Sequence, residues 1–182
     1  QQKENFILDN SENISFNGVS FKYFSSDEDI FDNLTFKITK DTHTTITGPN
    51  GSGKSTILGL LSGVFYPTNG NVSTFSDSYS YIGPTPLIFT SSLYENVMYG
   101  NKNVIDEKTI LDLLRDLDIF KEESNYDLTK IISNKTLSSG QMQKIAFVRA
   151  LLNDSDILLL DEATSNLDET TKDKIFKILK ER

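Results

Sequence analysis

The spacing of apolar residues along this chain shifts repeatedly between period two and the helical period. From Ile14 to Phe24, ISFNGVSFKYF alternates apolar and polar positions, a strand pattern interrupted at Gly18. A polar loop, SSDED, runs from Ser25 to Asp29. Alternation resumes from Ile30 to Thr39 through Leu34, Phe36 and Ile38. THTTIT, Thr42 to Thr47, is a short β-branched run that predicts another strand. STILGLLSGVF then sets Ile57, Leu60 and Leu61 on one face of a helix. YPTNGNV, Tyr66 to Val72, reads as a turn, and SYSYI, Ser78 to Ile82, as a strand.

The second half is more helical. DEKTILDLLRDLDIF, Asp106 to Phe120, places Ile110, Leu113, Leu114 and Leu117 at helical spacing, with acids in the first turn. QMQKIAFVRALL, Gln141 to Leu152, predicts another helix. DILLLDE, Asp156 to Glu162, has four consecutive apolar residues closed by two acids, the pattern of a central parallel strand buried on both faces. ETTKDKIFKILKER closes the sequence as an amphipathic helix with Ile175, Ile178 and Leu179 inward. Strands alternating with helices predict an α/β fold with a mostly parallel sheet, preceded by an N-terminal antiparallel β part. The helical stretch from about Asn101 to Phe120 is set between the chemical motifs and predicts a small subdomain.

Composition narrows the chemistry. The 182 residues predict one domain with room for a core. A net charge of −8 offers no excess of Lys or Arg for a polyphosphate backbone, so nucleic acid is not the expected partner. There are no cysteines, which excludes disulfides, thiolate metal sites and a cysteine nucleophile. No apolar run approaches the roughly 18 residues that span a bilayer, and QQKENFILDNSEN does not read as a signal peptide. The chain as given is expected to be soluble.

Three motifs carry chemistry. Gly48, Pro49, Asn50, Gly51, Ser52, Gly53, Lys54, Ser55 and Thr56 fit the phosphate loop G-x-x-x-x-G-K-[ST] between an expected strand and an expected helix. Its glycines let successive N–H groups turn toward phosphate oxygens, and the helix that follows adds its positive end. Lys54 would reach the β- and γ-phosphates, and Ser55 would coordinate Mg²⁺. In ILLLDE, Asp161 would hold Mg²⁺ and Glu162 would polarise an attacking water. In LSSGQ, Leu137 to Gln141, Ser138, Ser139 and Gly140 open a helix and offer a second anion site, so that either the chain binds two anions or two chains share one nucleotide.

Taken together, GPNGSGKST, LSSGQMQKIAFVRALL and ILLLDEATSNLD resemble, in order and spacing, the nucleotide-binding domains of ATP-binding cassette (ABC) transporters. The resemblance runs from about Ile14 to the last residue. PLIFTSSLYENVMYG, Pro86 to Gly100, is similar to the exporter branch. The resemblance implies a P-loop NTPase (RecA-like) core over about 1–83 and 141–182, and a helical subdomain over about 84–140, within a single domain spanning 1–182. It implies ATP and Mg²⁺ as cofactors and ATPase activity, with Glu162 as general base and Lys54 as catalytic cation. Tyr23 is placed where the family stacks an aromatic on adenine. Ser138, Gly140 and Gln141 would approach the γ-phosphate of a nucleotide held by a second nucleotide-binding domain, and Asp168 would cross that dimer interface. A transmembrane domain is the implied partner, and the cytoplasmic side of a membrane the implied location.

The sequence departs from the family's pattern at three points. Gly83 and Pro84 align where the family usually has a Gln contacting Mg²⁺ and water, and Pro has no side-chain donor. The signature reads LSSGQ rather than LSGGQ. The family's switch histidine aligns beyond Arg182, and His43 cannot fill its role, which reads as a fragment ending before that residue. Two functional readings follow: an ATP-hydrolysing engine of an exporter, favoured by Glu162, or a degenerate module that holds ATP and gates a partner with little turnover, favoured by Pro84.

Overall fold

The first long alternating stretch folds as expected, and its pairing explains the N-terminal part. In the computed structural model, which describes residues 5–9, 11–24, 26–120 and 125–181, β2 (Asn13–Phe21) pairs antiparallel with β3 (Phe31–Thr39). The start of the polar N-terminal segment, Ser25 of the expected loop and Arg182 of the expected last helix lie outside those residues. The β2 register shifts between Phe16 and Val19, where Gly18 interrupts the pattern. Phe16 and Phe36 stack across the pair with ring centroids 4.4 Å apart.

The chain divides into two compact units, Gln1–Tyr79 and Ser80–Arg182. In the first, a four-stranded sheet has the order β1-β4-β2-β3, with β1 at Phe6–Leu8 and β4 at Asn69–Thr74. β1 and β4 run parallel, and β2 and β4 antiparallel. Phe16, Val19, Val72 and Leu60 are fully buried here. Helix α1 (Lys54–Leu61) follows the glycine loop. It is shorter than its apolar pattern implies, because Gly63 adopts φ 66° and turns the chain back.

In the second unit, β5 (Tyr79–Ile82) pairs with β8 (Ile157–Leu160), and β6 (Ser91–Ser92) pairs antiparallel with β7 (Ile131–Ile132). Four helices, α2 (Leu93–Met98), α3 (Glu107–Asp116), α4 (Ser139–Asn153) and α5 (Glu169–Lys180), surround one apolar cluster that includes Leu93, Val97, Ile110, Leu114, Ile145 and Phe147. α4 is buried on nearly every side from Gln143 to Val148, so it is the central helix of this unit.

Three expectations are corrected. The four-stranded sheet is mixed rather than mostly parallel. THTTIT forms no strand: residues 42–49 are irregular, and five of the six side chains from Thr42 to Thr47 are exposed. A strand there would have only Ile46 to bury, too little to hold a central position. β8 is not buried on both faces, since Leu159 is buried but Ile157, Leu158 and Leu160 are half-buried. Two elements go beyond the expected set. β1 is too short to show periodicity. α2 is announced by Ser92-x-x-Glu95, a capping box in which each residue satisfies the other's backbone N–H. YPTNGNV is a turn only in part, because β4 begins at Asn69.

Candidate functional site

The glycine loop is shaped by its own lysine. Lys54 Nζ donates to the carbonyls of Gly48 (3.1 Å) and Pro49 (3.0 Å), closing the loop on itself. Gly53 holds φ 89° at the N-cap, and a β-carbon there would lie 2.5 Å from Phe31 Cζ, so only glycine fits. The helix that follows has no side-chain cap and no acid in its first turn. Among the described residues, the other helices are capped by side chains: α2 by Ser92, α3 by Asp106, α4 by Ser138 and α5 by Asp168. The first-turn N–H groups of α1 therefore lack the acceptor that the sequence supplies elsewhere, the arrangement that suits an anion. Ser55 is exposed beside them, and Thr56 is buried.

Tyr23 stands beside this loop. Its hydroxyl lies 2.8 Å from Thr56 Oγ1, and its ring meets Phe21 and Phe65 edge-on at 5.2 and 5.5 Å. At 38% exposure, the ring still presents a surface to solvent. The two edge-on contacts and the hydrogen bond hold the ring in one orientation.

In the second unit, Asp161 follows β8 with its backbone N–H bonded to Ile82 O at 2.9 Å. It is 9% exposed, and its Oδ2 accepts from the Tyr81 hydroxyl at 3.1 Å. Burial, reinforced by the Asp161 charge and hydrogen bond, pushes the Tyr81 phenol up to about 12, so it remains a donor at neutral pH. Glu162 is exposed and adopts φ 50°, a left-handed backbone unusual for this residue type.

The LSSGQ segment lines a cavity of about 700 Å³, with Asp118, Phe120, Asn166 and Asp168 on its other sides. Ser138 and Gln141 form a reciprocal capping box, and Gln141 Nε2 also donates to Ile119 O at 3.2 Å. Gly140 packs close to Asn166, while the fully buried Gln143 accepts from Asn166 N at 3.2 Å. Asp168 caps α5, its carboxylate accepting both the N–H and the hydroxyl of Thr171. The structure thus brings Ser138, Gly140, Gln141 and Asp168 to one cavity, Asp161 and Glu162 to one strand end, and Tyr23 to the helix after the glycine loop. Tyr81 and Asn166 are added to the expected set. Only their contacts reveal them, since neither residue type is unusual in a strand or a turn.

The profile of the ABC transporter family matches residues 31–165, well over half the chain. The chain belongs to the ABC transporter family. It is an exporter-type nucleotide-binding domain with the P-loop NTPase fold. It is 35% identical over 176 residues to ABC transporter B family member 13 of Arabidopsis thaliana, covering 87% of this chain and 14% of that protein. It is 34% identical over 171 residues to human antigen peptide transporter 2, covering 85% of this chain and 25% of that protein. It is 34% identical over 183 residues to the lactococcin-A transport/processing ATP-binding protein LcnC of Lactococcus lactis subsp. lactis, covering 92% of this chain and 26% of that protein. The chain therefore spans about a quarter or less of these relatives. A bacterial Atm1-family ABC exporter with ATP bound shares the fold, with a TM-score of 0.83 at 24% identity over 96% of this chain and 33% of that one.

The residues present fit the family's ligands. The uncapped α1 terminus and the Lys54 amine suit a polyphosphate, and the Ser55 hydroxyl and Asp161 carboxylate are hard oxygen donors of the kind Mg²⁺ takes. Among the described residues, no group of three or more His, Asp or Glu side chains is gathered so that it could hold a metal alone.

Proposed function

We propose that this chain binds and hydrolyses ATP to power an exporter, as one of two nucleotide-binding domains that close on shared nucleotide. The observation that carries the reading is the contrast among helix starts: α1, after the glycine loop, has no side-chain cap, whereas the other helices among the described residues have one. Its first-turn N–H groups and the glycine loop bind the triphosphate, and the Lys54 amine leaves the Gly48 and Pro49 carbonyls to meet it. The braced Tyr23 ring supports the base. Ser55 and Asp161 would hold Mg²⁺, which would supply neutralisation of phosphate charge. Glu162 orients a water and accepts its proton. Ser138, Gly140 and Gln141 present the α4 N-terminus to the γ-phosphate of the partner copy, with Asp168 at the same interface.

The partners in this reading are a transmembrane domain and a second nucleotide-binding domain, and the location is the cytoplasmic face of a membrane. Among the described residues, no helix is long and apolar enough to cross a bilayer. The reading is tested by phosphate release with Mg-ATP. Glu162→Gln should abolish turnover while keeping ATP binding, and Lys54→Ala should abolish turnover and severely weaken ATP binding. Turnover unchanged by Glu162→Gln would remove the assignment.

The second reading, a module that holds ATP with little hydrolysis, is favoured by Pro84, which supplies no polar side chain where the family places Gln. It predicts tight ATP binding with turnover no faster than that of Glu162→Gln.

A further inference from the structure

We propose that Tyr81 is a positioning residue for Asp161, orienting its carboxylate for a divalent cation from the neighbouring strand. The proposal rests on the reading of Asp161 as a metal-holding residue.

Two hydrogen bonds fix the pair. Asp161 N donates to Ile82 O at 2.9 Å, which sets the backbone of residue 161 against β5. The Tyr81 hydroxyl then donates to Asp161 Oδ2 at 3.1 Å. The carboxylate is 9% exposed, and the ring beside it is 50% exposed. A carboxylate taken this far from water needs a donor, and a donor on one oxygen leaves the other to a cation. A ligand oriented before the cation arrives loses less freedom on binding it.

The place for the ring is made by Gly83. A β-carbon on residue 83 would lie 3.0 Å from Tyr81 Cε1 and 3.2 Å from its hydroxyl oxygen. Any side chain at position 83 would crowd the ring that reaches Asp161. The next residue, Pro84, has neither a side-chain donor nor an N–H. The donor that serves this carboxylate therefore comes from within the strand, and the bare Cα two residues on is part of the same device.

A tie between two strands with no bearing on the metal would use the same hydrogen bond, so the test separates the two roles. Mn²⁺ binding to the protein at saturating ATP is read by electron paramagnetic resonance, and ATP binding in EDTA is read by calorimetry. Tyr81→Phe should weaken Mn²⁺ roughly tenfold, the lower end for partners that orient metal ligands, because the ring is half-exposed. Its ATP affinity in EDTA should be unchanged. Gly83→Ala should weaken Mn²⁺ in the same direction, and the double variant should be no weaker than Tyr81→Phe. Asp161→Asn is measured alongside. If Asp161→Asn weakens Mn²⁺ and Tyr81→Phe does not, the role of Tyr81 is overturned alone. If Asp161→Asn has no effect, the metal-holding reading falls and the proposal with it. Equal losses of Mn²⁺ and of metal-free ATP in Tyr81→Phe would make Tyr81 a structural tie and overturn the proposal.

Discussion

Gly140 and Asn166 meet so closely that a β-carbon on residue 140 would lie 3.0 Å from the Asn166 carbonyl oxygen. Gly140 lies in the first turn of α4, and Asn166 belongs to the segment that leads to Asp168. The N–H of Asn166 is held from the other side by Gln143, whose own Nε2 is buried with no hydrogen-bond partner among the described residues. The two motifs at this cavity are therefore locked to each other by a missing side chain and a buried amide.

This contact makes Gly140→Val informative. In an open helix, replacing glycine changes stability by only about 0.5–1 kcal/mol. Here the branched side chain must displace the Asn166 segment and strip Gln143 of its one bond, so we expect a loss of about 1–3 kcal/mol. Urea denaturation measures it. A variant as stable as the parent would mean that the segment gives way freely.

Tyr23 separates ring from hydroxyl. Tyr23→Phe removes the bond to Thr56 and should cost about 1 kcal/mol of stability with ATP affinity retained. Tyr23→Ala removes the platform as well and should cost about 1–3 kcal/mol of ATP affinity, on the scale of base stacking by aromatic side chains. Calorimetry with both variants decides between stacking and core packing.

Lys54→Ala acts on the loop even without ligand. The amine bridges two carbonyls, so its loss should raise hydrogen exchange across Gly48–Gly53 and reduce ATP affinity by at least an order of magnitude, an ion–phosphate contact of about 1.5–3 kcal/mol. Exchange unchanged in the variant would show that the glycines alone set the loop.

The start of α2 should be acid-sensitive. Hydrogen bonds from the Ser91 hydroxyl, then from the Ser92 side chain and backbone, hold the Glu95 carboxyl below its ordinary value of 4.5. A depressed folded value means that the contribution is present above the unfolded value and is lost as pH falls through the folded one. Hydrogen-exchange protection over Leu93–Met98, corrected for the intrinsic rate at each pH, should fall below about pH 4.5. In Glu95→Gln that acid step should be absent.

Much of this was legible before the structure. The β2–β3 pair follows from alternation through Phe16, Val19, Leu34 and Phe36, and α3 and α5 follow from acids at their starts and apolar stripes. The glycine loop and the ILLLDE strand end are read from residue types alone. What was not legible depends on contacts. THTTIT has strand propensity but almost nothing to bury, and propensity without burial does not make a central strand. Tyr81 reads only as a strand residue until its partner at the end of the paired strand β8 is known. The capping box of Ser138 and Gln141, in which each side chain accepts the other's backbone N–H, was likewise not read from the sequence.

The left-handed backbone at Glu162 has a consequence of its own. A residue with a β-carbon gives up about 1–2 kcal/mol in that conformation, and Gly or Asn would rest there more easily. The turn after β8 thus carries a side chain that its own backbone disfavours. With Glu162 as the proposed water-orienting group, local comfort and chemical usefulness pull in opposite directions at this one position, so the substitution that most relaxes the turn is also the one that should silence the protein.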